Sequence, residues 1–172
     1  FQSTGDTVAV SFYRSYLTAA DTAPIDALIR EFRSRGYAAV GLFAPSLKTP
    51  VARDFLPSAL AQLNPVAIVN ATAFSGRGAD GVSPLDAQGC PVFQVALSTA
   101  RKNEWAESER GLSPADLAMH VVLPEVDGRL FSGVVSFKAP EKQDPDLQYS
   151  RFSHRAHAGR IKSVGPASKN RA

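Results

Sequence analysis

The feature that most constrains this chain is a repeated alternation of short apolar runs with capped, amphipathic helical patterns. Val8 to Phe12 is an apolar run suited to a strand buried on both faces. Asp21-Thr22-Ala23-Pro24 then supplies a cap and an early proline, and Ile25, Leu28, Ile29 and Phe32 recur at helical spacing before Gly36. Ala38 to Phe43 reads as a second strand. Thr49-Pro50 repeats the cap-plus-proline start, and Val51, Phe55, Ala59 and Leu63 form an i, i+4 stripe ended by Asn64-Pro65. Val66 to Val69 and Pro91 to Leu97 read as strands three and four, and Leu130 to Phe137 as the last. Asn103 to Gly111, NEWAESERG, reads as a polar amphipathic helix packed by the Trp105 indole. Strand and helix at this spacing make βαβ units, whose right-handed crossovers put helices on both faces of a sheet. The expected fold is α/β, doubly wound and mostly parallel, of the flavodoxin-like or Rossmann-like kind.

In such sheets ligands lie beyond the carboxyl ends of the strands. The side chains sent there are Arg14 and Ser15 after strand one, Asn70 and Thr72 after strand three, and Ser98 and Thr99 after strand four. Arg14 has the forked geometry to clamp a carboxylate or phosphate, and Asn70 and Thr72 suit a polar ligand. The alternative is that these same side chains stitch the loops together.

The chain's best charged candidates lie in Gly111 to Gly128. Ser113, Pro114 and Asp116 are an N-cap hydroxyl, a first-turn proline and an acid three residues past the cap, so a helix starts here. Leu117 and Val121 are expected to face inward. Pro124 is expected to end the helix near Leu123, leaving Glu125 and Asp127 beyond it on a turn closed by Gly128. Two carboxylates at a bend are either solvated turn residues or a site.

The sequence is long enough for one domain with a full core, expected over residues 1–140, followed by a basic, partly irregular segment at 141–172. The formal net charge of +3 invites a nucleic-acid reading until the charges are placed. All sixteen acids precede Leu147 with only thirteen of the nineteen Lys and Arg, so the globular part is mildly acidic and the basic excess sits in a Ser/Gly/Ala-rich tail. That tail is expected to be solvated. The lone Cys90 excludes an internal disulfide and fits a reducing compartment and a buried structural thiol. No apolar run approaches the length of a membrane span, and the expected location is the cytoplasm. Phe1 in place of Met suggests a start inside a longer chain.

Three motifs fail closer inspection. Gly76-Arg77-Gly78-Ala79-Asp80-Gly81 matches G-x-G-x-x-G after a strand, but V-S-P-L-D-A-Q-G follows and no helix opens to receive a pyrophosphate. His154 and His157 are spaced H-x-x-H, but no acid follows Asp146, so they read as a surface or disordered pair. His120, mid-helix, matters as a ligand only if the fold brings it beside Glu125. There is no G-x-x-x-x-G-K-[ST] and no G-x-S-x-G.

FYRSYLTAADTAPIDALIREFRSRG, NATAFS, SPLD, PVFQVALS and WAESERGLSPADLAMHVVLPEVDG, in this order, resemble an internal region of the large subunits of cobaltochelatases and, more loosely, of magnesium chelatases. The resemblance spans about Thr7 to Lys138. It implies a domain of a tetrapyrrole-binding subunit that inserts a divalent metal, with ATP hydrolysed by separate AAA+ motor subunits and not by this chain. R-S-Y, N-A-T and S-P-L-D favour the cobalt branch. Co2+ and the corrinoid precursor hydrogenobyrinic acid a,c-diamide are then the substrates. The P-E-[LIV]-D-G block corresponds to Pro124 to Gly128, which makes Glu125 the expected proton acceptor or transient metal ligand and Asp127 its support. His120, where much of the family has Gln, the GRGADG loop and the GPASKNRA tail depart from the pattern. The isolated domain is expected to supply one wall of the site and no turnover. The competing classes are a non-catalytic module holding a small anion with Arg14, Ser15, Asn70 and Thr72, and a purely structural domain. Glu125 buried in a salt bridge away from the strand ends favours the structural class; Glu125 lining an open cleft with unpaired polar neighbours favours a site.

Overall fold

The computed structural model describes residues 5–107, 111–141 and 152–168. Strand β1 (Thr7–Tyr13) runs into the short helix α1 (Arg14–Thr18), followed by α2 (Ala23–Ser34) and β2 (Ala38–Ala44). Helix α3 (Pro50–Leu63) and β3 (Ala67–Asn70) complete a second crossover. A long loop then leads to β4 (Val92–Arg101), α4 (Lys102–Glu107) and α5 (Pro114–Leu117). A π-turn over Ala118–Val122 joins α5 to α6 (Leu123–Val126), and β5 (Leu130–Pro140), β6 (Phe152–Ala156) and α7 (Ala158–Ile161) follow.

The six strands form one sheet in the order β2-β1-β3-β4-β5-β6. The first five are parallel and β6 is antiparallel to β5. This is the expected doubly wound α/β fold. Alternation along β1 explains both layers: Val8, Val10 and Phe12 join Ile25, Leu28 and Phe32 of α2 on one face, while Ala9 joins Ala52, Leu56 and Leu60 of α3 on the other. The Trp105 ring of α4 packs 5.2 Å from that of Phe137 and lies under the Arg160 guanidinium at 4.3 Å. Its amphipathic role was expected, although Ser108 to Arg110 lie outside the described residues.

Four expectations are corrected. In α3 the buried stripe is Ala52, Leu56 and Leu60, whereas Val51 and Phe55 are 72% and 49% exposed. Both stripes are apolar at i, i+4, so periodicity cannot choose between them; small Ala52 lets the helix approach the sheet closely over Ala9 and Ala44.

Pro124 does not stop its helix. The wider π-turn before it absorbs the missing N–H and the bulk of the ring, and the helical path continues to Val126. Glu125 therefore lies within α6, and Asp127 caps its carboxyl end. The inward face is also different: Asp116 and His120 are buried, and Leu117 is 46% exposed.

The basic tail is not solvated over its described part. β6 extends the sheet, and Ile161 and Val164 enter the main core. Arg35, itself buried, donates to the carbonyls of Ile161, Lys162, Val164 and Pro166 at 2.7 to 3.2 Å. Gly165 has φ +71° and lies against the Phe32 ring, where an added Cβ would come within 2.8 Å, so only glycine fits. Arg151, Lys169 and Arg171 lie outside the described residues.

Arg35→Ala leaves four carbonyls without their charged donor. It should cost about 3 kcal/mol in urea unfolding and expose residues 158–168 to proteolysis before the rest of the domain. Unchanged stability with a protected tail would contradict this account of the clamp.

Candidate functional site

The carboxyl end of the sheet is built on a continuous buried polar network. In β1 the Ser11 hydroxyl donates to Asn70 Oδ1 (2.6 Å), and Asn70 Nδ2 donates to Gln94 Oε1 (2.7 Å). Thr72 Oγ1 also donates to Asn70 Oδ1, and Gln94 Nε2 donates to the Thr72 carbonyl (2.7 Å). Arg129 enters from the start of β5, with Nη1 3.3 Å from Gln94 Oε1 and from the Phe74 carbonyl. Its Nη2 pairs with Asp127 Oδ2 at 2.7 Å. Burial pulls the Arg129 guanidinium below its ordinary value, and the adjacent Asp127 carboxylate opposes this.

Asp127 is the centre of the loop cluster. Its side chain is fully buried and accepts from the Ser75 hydroxyl, the Gly76 amide (2.6 Å each) and Arg129. Gly76 is required here because an added Cβ would lie 2.6 Å from Arg129 Nη2 and 2.9 Å from both Leu47 and Ser83. The GRGADG loop thus packs onto the PEVDG turn. It opens no helix, and Arg53 ties its far side through Asp80 and the Val82 carbonyl.

The expected site residues separate into two groups. Asn70 and Thr72 are fully buried and their polar atoms bond within the network, so loop stitching describes them and no ligand contact is open to them. Arg14 and Ser15 are exposed at the start of α1. Glu125 is exposed, and its carboxylate makes no hydrogen bond or ion pair among the described residues. Asp127 beneath it is buried. The two carboxylates that looked alike in sequence therefore have opposite environments. Ser98 and Thr99 donate to Asp116, which is also fully buried.

A second polar cluster joins the two sides of the sheet end. His154 is buried in β6, with Nδ1 2.7 Å from Asp21 Oδ2 and its backbone N–H 2.7 Å from Asp21 Oδ1. Lys138 Nζ lies 3.5 Å from the same carboxylate, and the Tyr16 ring meets the His154 ring edge-on at 5.6 Å. The H-x-x-H pair is thus neither a surface nor a disordered one: its acid comes from the loop before α2, and His157 packs beside Phe137. No three metal-ligating side chains converge among the described residues.

Burial would raise the Asp21 carboxyl, but the His154 hydrogen bonds and Lys138 outweigh it and hold it below the usual range. Burial and, secondarily, Asp21 and Tyr13 push Tyr16 up to about 12. Burial holds both His120 and His154 below the ordinary imidazole value, against the pull of Asp116 and Asp21. Burial thus favours the neutral form of both rings, and His154 Nδ1 meets the Asp21 carboxylate at 2.7 Å.

Sequence reasoning missed Arg129, which lies just past the PEVDG turn; a cation two residues after a buried acid is the only available signal.

Asp127→Asn leaves Arg129 buried without its counter-charge and should cost about 3 kcal/mol, whereas Glu125→Gln should change stability by less than about 0.5 kcal/mol in the same urea titration. The depressed imidazoles give a sign to the pH dependence. The unfolded chain takes up these protons first, so the imidazole contribution to stability should be level above about pH 7 and fall as pH drops below about 6.5. The depressed Asp21 adds a further loss at lower pH, as its folded-state carboxylate becomes protonated. His120→Gln should reduce the fall between about pH 6.5 and 5; an unchanged profile would remove His120 from the explanation.

The family model described as CobN/Magnesium Chelatase matches residues 1–169. The chain is 36% identical over 167 residues to an aerobic cobaltochelatase subunit CobN from Sinorhizobium sp, covering 95% of this chain and 13% of that protein. It is 34% identical over 127 residues to a magnesium-chelatase subunit from Rhodobacter capsulatus, covering 71% of this chain and 11% of that protein. The solved catalytic subunit of cobaltochelatase from Mycobacterium tuberculosis superposes with a TM-score of 0.73 at 28% identity, over 93% of this chain and 14% of that one. The chain spans 11–14% of the length of the curated relatives it matches. With its doubly wound sheet and its PEVDG turn, the chain belongs to the CobN/magnesium chelatase family.

Proposed function

We propose that this chain is one domain of the large, tetrapyrrole-binding subunit of an ATP-dependent cobaltochelatase, and that Glu125 is its contribution to the chemistry. The observation that carries the reading is the contrast between Glu125 and Asp127: one carboxylate is exposed and unpaired among the described residues, and the other is buried and anchors the turn that presents it. The stretch of similarity to CobN is longer than that to the magnesium-chelatase relative, which supports the cobalt branch.

Insertion of a divalent metal into a tetrapyrrole displaces the protons on its ring nitrogens, a single one in a corrin, and strips water from the hydrated cation. An exposed carboxylate in α6, next to the helix end that Asp127 caps, is suited to accepting such a proton, or to holding the incoming metal briefly. Asp127 and Arg129 act as positioning residues, since they fix the carboxyl end of α6 by buried charge-assisted hydrogen bonds. Co2+ and hydrogenobyrinic acid a,c-diamide are the substrates, and ATP is hydrolysed by AAA+ motor subunits that act on the assembled complex. The absence of a phosphate-binding loop sequence fits that division of labour. Arg14 and Ser15 are exposed at the same end of the sheet and are candidates for outer contacts to an anionic substituent. The competing small-anion module lacks half its set, because Asn70 and Thr72 are consumed inside the network.

Glu125→Gln in the full-length protein, assayed with its motor subunits, should lower the insertion rate by about 100-fold or more while leaving tetrapyrrole affinity within about threefold. Insertion at a normal rate would end the proposal. The isolated domain should bind the macrocycle weakly by fluorescence quenching and turn nothing over; cobalt insertion by the domain alone would contradict its role as a single wall.

A further inference from the structure

Phe74 lies in the loop after β3 and has φ +65°, in the left-handed region that a bulky side chain rarely adopts. The surrounding network enforces this backbone: its N–H donates to the Met119 carbonyl of the π-turn (2.7 Å), and its carbonyl accepts from Arg129. Packing does not explain the side chain, which is left 48% exposed. Glycine or asparagine would hold the same backbone with less strain, so the protein keeps an aromatic ring in solvent against its local preference.

Arg77, three residues on, is also exposed, with Nε 3.8 Å from Asp127 Oδ1. That carboxylate already has Arg129, the Ser75 hydroxyl and the Gly76 amide as closer partners, which leaves the Arg77 charge surplus to the fold. Val122 and Val126, exposed by 50% and 65%, lie on the same helical segment as Glu125. Arg77 directly, and Phe74 through its carbonyl to Arg129, are thus tied to the buried Asp127 carboxylate, two residues past the exposed Glu125.

We infer that Phe74 and Arg77 form a binding surface for a planar conjugated ring bearing peripheral carboxylates, with Phe74 stacking on the ring face and Arg77 pairing with one carboxylate. The inference rests on the tetrapyrrole reading given above and assigns substrate recognition to the GRGADG side of the Asp127 cluster. A flat π-system gains from an exposed, rigidly held aromatic ring, and a guanidinium fork fits a carboxylate at its edge.

The test is fluorescence quenching of the full-length protein by hydrogenobyrinic acid a,c-diamide and by its methyl-esterified form, together with thermal melting. Phe74→Asn, which suits the left-handed backbone, should keep or raise Tm and weaken binding of both rings by about tenfold, while Phe74→Tyr should stay within about twofold. Arg77→Gln should weaken binding of the free-acid ring by about tenfold and leave the ester unaffected. Unchanged binding by Phe74→Asn and Arg77→Gln, with Glu125→Gln still defective in insertion, would overturn this inference and leave the proposed function intact. Failure of the wild-type protein to bind either ring would overturn both. Loss of motor-subunit association by Phe74→Asn with normal ring binding would make the patch a protein contact and also overturn the inference.

Discussion

The arrangement at the carboxyl end of the sheet depends on the Asp127–Arg129 pair. Each charge is buried, and either one alone would carry a desolvation penalty that a domain of this size cannot easily absorb. Together they satisfy the turn after α6, the loop after β3 and the Gln94–Asn70 network at once. The consequence is rigidity where a parallel sheet ordinarily has its most variable loops. Exposed groups beside the pair, Glu125 at the end of α6 and Phe74 in the loop after β3, inherit their positions from a pair that itself sees no solvent.

The π-turn belongs to the same logic. A regular helix from Pro114 would have placed Pro124 in collision with the preceding turn. The wider turn admits the proline, lets Phe74 bond to the Met119 carbonyl, and rotates Asp116 and His120 into the sheet end. The buried Asp116 carboxylate is tolerated because the Ser98 hydroxyl and the Thr99 amide and hydroxyl donate to it. The chain spends hydrogen-bonding groups on holding this segment that a plain helix would have spent on its own ladder.

The layers were legible because strand runs and capped helices alternate with little ambiguity, whereas the strand order and the added β6 emerge only in the structure. The Thr49 and Ser113 caps appear in the structure as read, each hydroxyl accepting an amide three residues on. What failed did so for identifiable reasons. Two apolar stripes on α3 share one period, so the buried one cannot be chosen without the sheet beneath it. Pro124 is a stop signal only if the preceding turn stays α-helical. Glu125 and Asp127 are indistinguishable in sequence because their difference is made by Arg129, Ser75 and Gly76, of which two come from another loop. Asn70 and Thr72 stood at the right end of the sheet, but topology gives an address and not an orientation. His154 looked unpartnered because its acid, Asp21, precedes it by 133 residues.

The clamp of Arg35 on the carbonyls of Ile161 to Pro166 joins groups 126 to 131 residues apart. During synthesis α2 leaves the ribosome long before these acceptors exist, and the core face that Ile161 and Val164 cover stays open until they arrive. Non-local closure of this kind delays completion of the fold and leaves apolar surface available to chaperones or to misassociation in the interval. The domain can begin its sheet from the first half of its sequence, but it becomes a sealed unit only when the last described turn docks.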